Sequence, residues 1–183
     1  MLIVLGGLPG TGKTAMAREL VARLPSAYLR IDTIEAALMN MSALGDVGPA
    51  GYVLAYELAK SNLALGMTVV ADCVNPLSVT REAWRAVAAG ASSGLLEIEV
   101  VCSDPVEHRR RVESREADIP GLTLPTWEAV LRHEYEAWTT GRLVIDSALV
   151  SASEAAALIL ESSAHVAGSN GAVLAHASPH RPS

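Results

Sequence analysis

Three glycines, a lysine and a hydroxyl in fixed register make a chemical set suited to holding phosphate: Gly7, Leu8, Pro9, Gly10, Thr11, Gly12, Lys13 and Thr14 follow the pattern G-x-x-x-x-G-K-[ST]. Glycine accepts positive φ, so the backbone can bring its N–H groups against phosphate oxygens without side-chain interference. Lys13 then reaches the outer phosphates of a nucleoside triphosphate, and the Thr14 hydroxyl suits a Mg²⁺ ligand.

Two acids and a run of arginines extend this chemistry. Asp32 closes Leu29-Arg30-Ile31-Asp32 and Asp72 closes Thr68-Val69-Val70-Ala71-Asp72, so both are expected at strand ends, on the sheet edge that carries ligands in parallel α/β folds. A carboxylate at Asp32 can accept the proton of an attacking hydroxyl, and the same residue suits the N-cap of a helix over Thr33 to Met41; the two roles are compatible. Asp72 has the setting of an acid that positions Mg²⁺ through water. Among Arg109, Arg110, Arg111 and Arg115, the spacing of Arg111 and Arg115 puts them on one helix face, where guanidinium forks can cover a transferring phosphoryl group. Glu107, Glu113 and Glu116 stand ready to pair the remaining arginines on a solvated surface.

The elements that must position these groups follow from hydrophobic period. Short apolar runs at Leu2 to Leu5, Tyr28 to Ile31, Thr68 to Ala71, Leu96 to Val101 and Leu143 to Ile145 alternate with helical stretches, which predicts a parallel sheet covered on both faces. Met16, Leu20 and Leu24 recur at i, i+4, i+8, so the phosphate-holding run opens a helix whose N-terminus adds positive potential. Pro105 suits a helix start, and Ser151 with Glu154 forms a capping box before a last helix. Residues 33–66, broken around Gly45 to Gly51, are the expected acceptor region, and Glu116 to Thr126, with Pro120, Gly121 and Pro125, the expected lid. The ordered domain is read as 1–162. Residues 163–183, rich in Ala, Gly, Ser, His and Pro, are expected to be a disordered tail in which His176 and His180 form no metal site.

Composition excludes several classes. A chain of 183 residues fits one domain, so donor and acceptor sites must share it. No uncharged apolar stretch approaches the roughly 20 residues that cross a bilayer, and no basic region precedes the first apolar run. Cys73 and Cys102 are too few for a disulfide framework, which fits a cytoplasmic setting, with Cys73 expected as a small buried residue. The net charge of −6 argues against general nucleic-acid binding. His108 and His133 are expected on the surface, and Trp84, Trp127 and Trp138 in the core or beneath the lid.

Taken with the strand Leu143-Val144-Ile145-Asp146, these motifs resemble those of small P-loop kinases over nearly all of residues 1–162. Within that superfamily the chain is similar to the AAA_33 group that includes chloramphenicol phosphotransferase, shikimate-kinase-like and gluconate-kinase-like enzymes. The resemblance implies a three-layer P-loop NTPase fold of class α/β, with a five-stranded parallel sheet in order 2-3-1-4-5, ATP with Mg²⁺ on the phosphate loop, and acceptor near the region between strands two and three. It also matches Asp32 with the base for the acceptor hydroxyl. The guanine motif of Ras-type GTPases and the signature of transporter ATPases are absent.

Between Thr33 and Gly66, Lys60 is the single basic residue, against Glu35, Asp46 and Glu57. Acceptor phosphates are normally held by arginine, so a small uncharged hydroxyl compound is the expected partner, with Arg30 and Arg81 the residues able to meet an anion instead. The competing readings are a polynucleotide 5′-kinase or nucleotide kinase, and a nucleotide-binding regulator that phosphorylates no acceptor. Oligomeric state is not legible.

Overall fold

The computed structural model describes residues 1–41 and 48–174. Its elements run β1 (Leu2–Gly6), α1 (Lys13–Val21), β2 (Ser26–Arg30), α2 (Ile31–Met41), α3 (Ala50–Ala64), β3 (Thr68–Asp72), α4 (Ser78–Gly90), β4 (Leu95–Val101), α5 (Pro105–Ser114), α6 (Trp127–Leu131), β5 (Leu143–Asp146) and α7 (Ala152–Leu174). The five strands form one sheet in the order β2-β3-β1-β4-β5, and every pairing is parallel. Fold class and strand order are those expected.

Successive strand residues point to opposite faces, and β1 divides its side chains accordingly. Leu2 and Val4 join Val69, Ala71 and Leu29 against Ala55, Ala59 and Leu63 of α3 and Trp84 and Val87 of α4. Ile3 and Leu5 face the other way, with Val70, Ile98 and Ile145, onto Met16, Ala17 and Leu20 of α1 and Ala155, Ala156 and Ile159 of α7. Both faces of the central strands are thus dry, which fixes their register: a one-residue slip would exchange the two cores. With β1 in the middle, the loop leaving its carboxyl end opens between β3 and β4.

Three boundaries differ from the sequence reading, and two of them move a site residue. Strand β2 stops at Arg30 and α2 begins at Ile31, so Asp32 sits in the first helical turn, neither ending the strand nor capping the helix. An acid there still complements the helix dipole. Helix α5 ends at Ser114, and Arg115 follows with extended φ −69°, ψ 130°, so Arg111 and Arg115 do not share a helix face. Helix α7 continues past Ser162 to Leu174; alanine at 164 and 167 sustains helix propensity where the chain was expected to lose order. His176, His180 and residues 175–183 lie outside the described residues, as do 42–47 of the break between α2 and α3. The capping box forms as expected, with Ser151 N–H donating to Glu154 Oε2 at 2.8 Å and Glu154 N–H to Ser151 Oγ at 3.2 Å. No helix among the described residues is long and apolar enough to cross a membrane.

Candidate active site

The loop from Gly7 to Gly12 turns through positive φ at Gly7, Gly10 and Gly12 (144°, 83° and 92°). Two of these positions are also closed to any side chain. A Cβ on Gly7 would stand 2.2 Å from the carbonyl oxygen of Val100, and one on Gly10 2.4 Å from Val112 Cγ2. The loop is held from within, since Lys13 Nζ and Thr11 Oγ1 both donate to the carbonyl of Leu8 at 2.9 Å. It is also held from outside. His108 Nε2 lies 2.8 Å from the carbonyl oxygen of Pro9, and its ring meets Trp127 edge-on at 5.2 Å. His108 is buried, which corrects the surface position expected for it: the apolar side of α5, with Val112 one turn on, packs against the loop.

Lys13 is almost fully buried, and burial pushes its ammonium pKa down, opposed by the charges of Asp72 and Asp32. The Thr14 hydroxyl donates to Asp72 Oδ2 at 2.7 Å, joining the start of α1 to the end of β3. Tyr28 donates to the same oxygen at 2.8 Å, and burial together with the Asp72 charge keeps its hydroxyl protonated far above the ordinary range. A hydroxyl and a carboxylate this close fit Mg²⁺, which takes few protein ligands and retains most of its water.

Lys13, Thr14 and Asp72 line one cavity of about 460 Å³ that also admits Arg18, Arg30, Asp32, Arg111, Arg115 and Asp118. Its second half is ionic. Arg30 donates to both carboxylate oxygens of Asp118, at 2.7 and 2.9 Å, and lies 3.8 Å from Asp32 and 4.0 Å from Asp72. Arg18 from α1 bonds the same Asp118, and Arg115 lies 3.9 Å from both Asp118 and Asp32. Arg30 and then Arg18 hold the Asp118 carboxyl well below the usual carboxylate range. One turn on from Asp32, Glu35 is pushed up, first by burial and then by the Asp32 charge. Arg111 sits at the loop side, donating to Glu107 at 2.7 Å and to the Ser147 hydroxyl and carbonyl at 2.9 and 3.1 Å. Arg109 and Arg110 pair with Glu113 and Glu107 on the exposed side of α5, as expected of that run.

Every site residue inferred from sequence, other than parts of the loop's far side, reaches this cavity, whereas Arg81 does not serve it. Arg81 is 2 % exposed and donates to the carbonyls of Asn75, Pro76, Glu136 and Ala137, with its guanidinium 4.2 Å above the Trp138 ring. It binds two loops together, with four of its five N–H donors on backbone carbonyls, and its burial keeps it out of the cavity. Sequence reasoning did not find Arg18, Tyr28, Ser147 or Asp118. A signal existed for two of them: Arg18 is four residues after Thr14 on α1, and Tyr28 shares a strand face with Arg30. Asp118 and Ser147 sit outside helices and strands, where no period announces them.

Sheet order, phosphate loop and the Thr14–Asp72 contact together define the kinase type of the P-loop NTPase fold. The AAA_33 profile, described as an AAA domain, matches residues 2–136. The chain therefore belongs to the AAA_33 family. Among solved structures it is similar to a putative kinase from Chloroflexus aurantiacus J-10-fl, with 20 % identity over 87 % of this chain and 96 % of that one and a TM-score of 0.71. Kti12 from Chaetomium thermophilum, in complex with ADP-AlF3, shares 21 % identity over 88 % and 98 % of the two chains, with a TM-score of 0.65. A gluconokinase from Sinorhizobium meliloti 1021 shares 17 % over 96 % and 97 %, with a TM-score of 0.60. No curated protein matches the chain.

Proposed function

We propose that this protein is an ATP-dependent phosphotransferase that moves the γ-phosphoryl group to a hydroxyl of a small acceptor. The observation that carries the reading is a phosphate loop and a carboxylate, Asp32, facing each other across a cavity large enough for more than phosphate alone. A putative kinase and a gluconokinase among the similar structures, and Kti12 holding ADP-AlF3, support ATP as donor.

In this reading the loop amides and Lys13 hold the β- and γ-phosphates. Thr14 and Asp72 would hold Mg²⁺, whose chemistry is to neutralise phosphate charge. Asp32 takes the proton of the acceptor hydroxyl as its oxygen bonds to the γ-phosphorus, and the bond from that phosphorus to the β–γ bridging oxygen breaks to release ADP. Arg111 and Arg115 face the transferring group from the lid side and balance its charge, while the cavity walls exclude water. Positioning supplies much of the acceleration.

The expectation of an uncharged acceptor rests on segment 33–66, and the likeness to chloramphenicol phosphotransferases on Asp32 and the phosphate-loop motifs. The cations of the cavity come from α1, β2, α5 and the stretch after it, so that segment does not by itself decide acceptor charge. Incubation with γ-labelled ATP and pooled metabolites, antibiotics of the chloramphenicol type and oligonucleotides tests the reading. Label in a small alcohol is expected; label only in oligonucleotides, or only in free phosphate, would replace it with the polynucleotide-kinase or regulator reading. Asp32→Asn is expected to abolish transfer with ATP binding nearly intact, and unchanged transfer would remove Asp32 from its role.

A further inference from the structure

In the ionic half of the cavity Arg18, Arg30 and Arg115 converge on Asp118, while Asp32 and Asp72 stand 3.8 and 4.0 Å from Arg30 without hydrogen-bonding it. Arg30 is 6 % exposed, and among the described residues its hydrogen-bonding partner is Asp118, which belongs to the stretch between α5 and α6 and not to the sheet. Its Nε is buried without a hydrogen bond. Arg18 and Arg115 converge on the same carboxylate from two further directions, so three guanidinium groups surround one acid. Buried ion pairs return little net stability for the desolvation they require, so this arrangement is poorly accounted for as a fold staple. A planar guanidinium fork that grips both oxygens of a carboxylate is equally shaped for phosphate.

We infer that Arg30, with Arg18 and Arg115, forms the subsite for an anionic group of the acceptor, a carboxylate or phosphate, and that Asp118 occupies this subsite as an internal stand-in until the acceptor displaces it. The inference rests on the phosphotransferase reading and names the substrate class: a small hydroxylated anion. Geometry links the two ends of such a molecule. Arg30 lies 3.8 Å from Asp32, so an anion on the guanidinium holds a hydroxyl a few bonds away beside the base. Arg115 approaches Asp32 and Asp118 equally, at 3.9 Å, and spans the same interval. Displacement of Asp118 would free the segment that bears it, so the acceptor and the lid compete for one set of donors.

Calorimetry tests this with protein first saturated with ADP, aluminium fluoride and Mg²⁺, so that both the β- and γ-phosphate positions of the loop are filled, and then titrated with inorganic phosphate. Asp118→Asn is expected to bind a phosphate at least tenfold more tightly than wild type, and Asp118→Asn/Arg30→Gln to lose it, with ADP affinity equal in all three. Equal phosphate binding by wild type and Asp118→Asn, or its retention in the double variant, would overturn the inference. A second measurement needs no Asp118 variant: wild type is given alcohols paired with their carboxylated or phosphorylated counterparts and γ-labelled ATP. At least tenfold more label in the anionic members, lost in Arg30→Gln, supports the subsite; equal or greater label in the neutral members overturns it. Failure of ADP to bind at all would instead refute the nucleotide reading, and so separates the two conclusions.

Discussion

The cavity has two halves built by different means. At the phosphate end, backbone dominates: carbonyls of Leu8 and Pro9, glycines at positive φ and a helix N-terminus shape the site within a few residues of chain. At the opposite end, side-chain charges dominate, and Arg30 and Asp118 meet across 88 residues of sequence. The first half is rigid because its geometry is covalent and local. The second is held by ion pairs that a competing anion can exchange, which suits the end where different molecules must enter and leave.

Substitutions can break this contrast. The largest effect is expected at Lys13→Ala: loss of a buried charge aimed at phosphate should lower transfer by about 10²–10³-fold in a labelled-ATP assay, with circular dichroism unchanged. Gly10→Ala comes next. A methyl group 2.4 Å from Val112 Cγ2 on a backbone at φ 83° should destabilise the fold by about 1–3 kcal/mol in urea titration. Adding Val112→Ala should recover the packing part of that loss and leave the backbone part, so the double variant separates the two.

At the ionic end the stability effects are smaller. Asp118→Asn should cost about 1–2 kcal/mol at neutral pH, less than a fully buried pair, because 33 % of the Asp118 side chain remains in water. Its sign with pH follows from the lowered carboxyl. The folded state holds Asp118 ionised below its ordinary range, so its contribution is complete above about pH 4 and is lost as pH falls further. Wild type and Asp118→Asn should therefore draw together in stability as pH falls below about 4, with part of the difference still present at about pH 2, measured by thermal unfolding. Smallest of all, Ser147→Ala removes one hydroxyl contact from Arg111 and should cost about 0.5–1.5 kcal/mol, with a modest loss of transfer. Equal sensitivity of both ends to added phosphate or sulfate would erase the distinction drawn between them.

How much could be read from sequence divides along the same line. The phosphate loop, the strand-ending Asp72 and the alternation that sets the sheet are local patterns, and local patterns are what residue spacing records. Asp32 lines the cavity despite its shifted boundary, because helix dipole and sheet edge favour an acid at either position. His108 was misjudged because its signal is the company of Val112 on one helix side, which a run of four nearby arginines obscured. Asp118 carries no signal: in Glu116-Ala117-Asp118-Ile119-Pro120, nothing announces that a buried guanidinium 88 residues away pairs with it.

Arg81 has a consequence for how the molecule breathes. Residues 133–142 form neither helix nor strand, yet the carbonyls of Glu136 and Ala137 share one guanidinium with those of Asn75 and Pro76 beyond β3. The Glu136 N–H also donates to the Pro76 carbonyl at 2.9 Å. Amides in the two stretches should therefore exchange with solvent deuterium as one unit, opening together or not at all, although 60 residues of chain separate them.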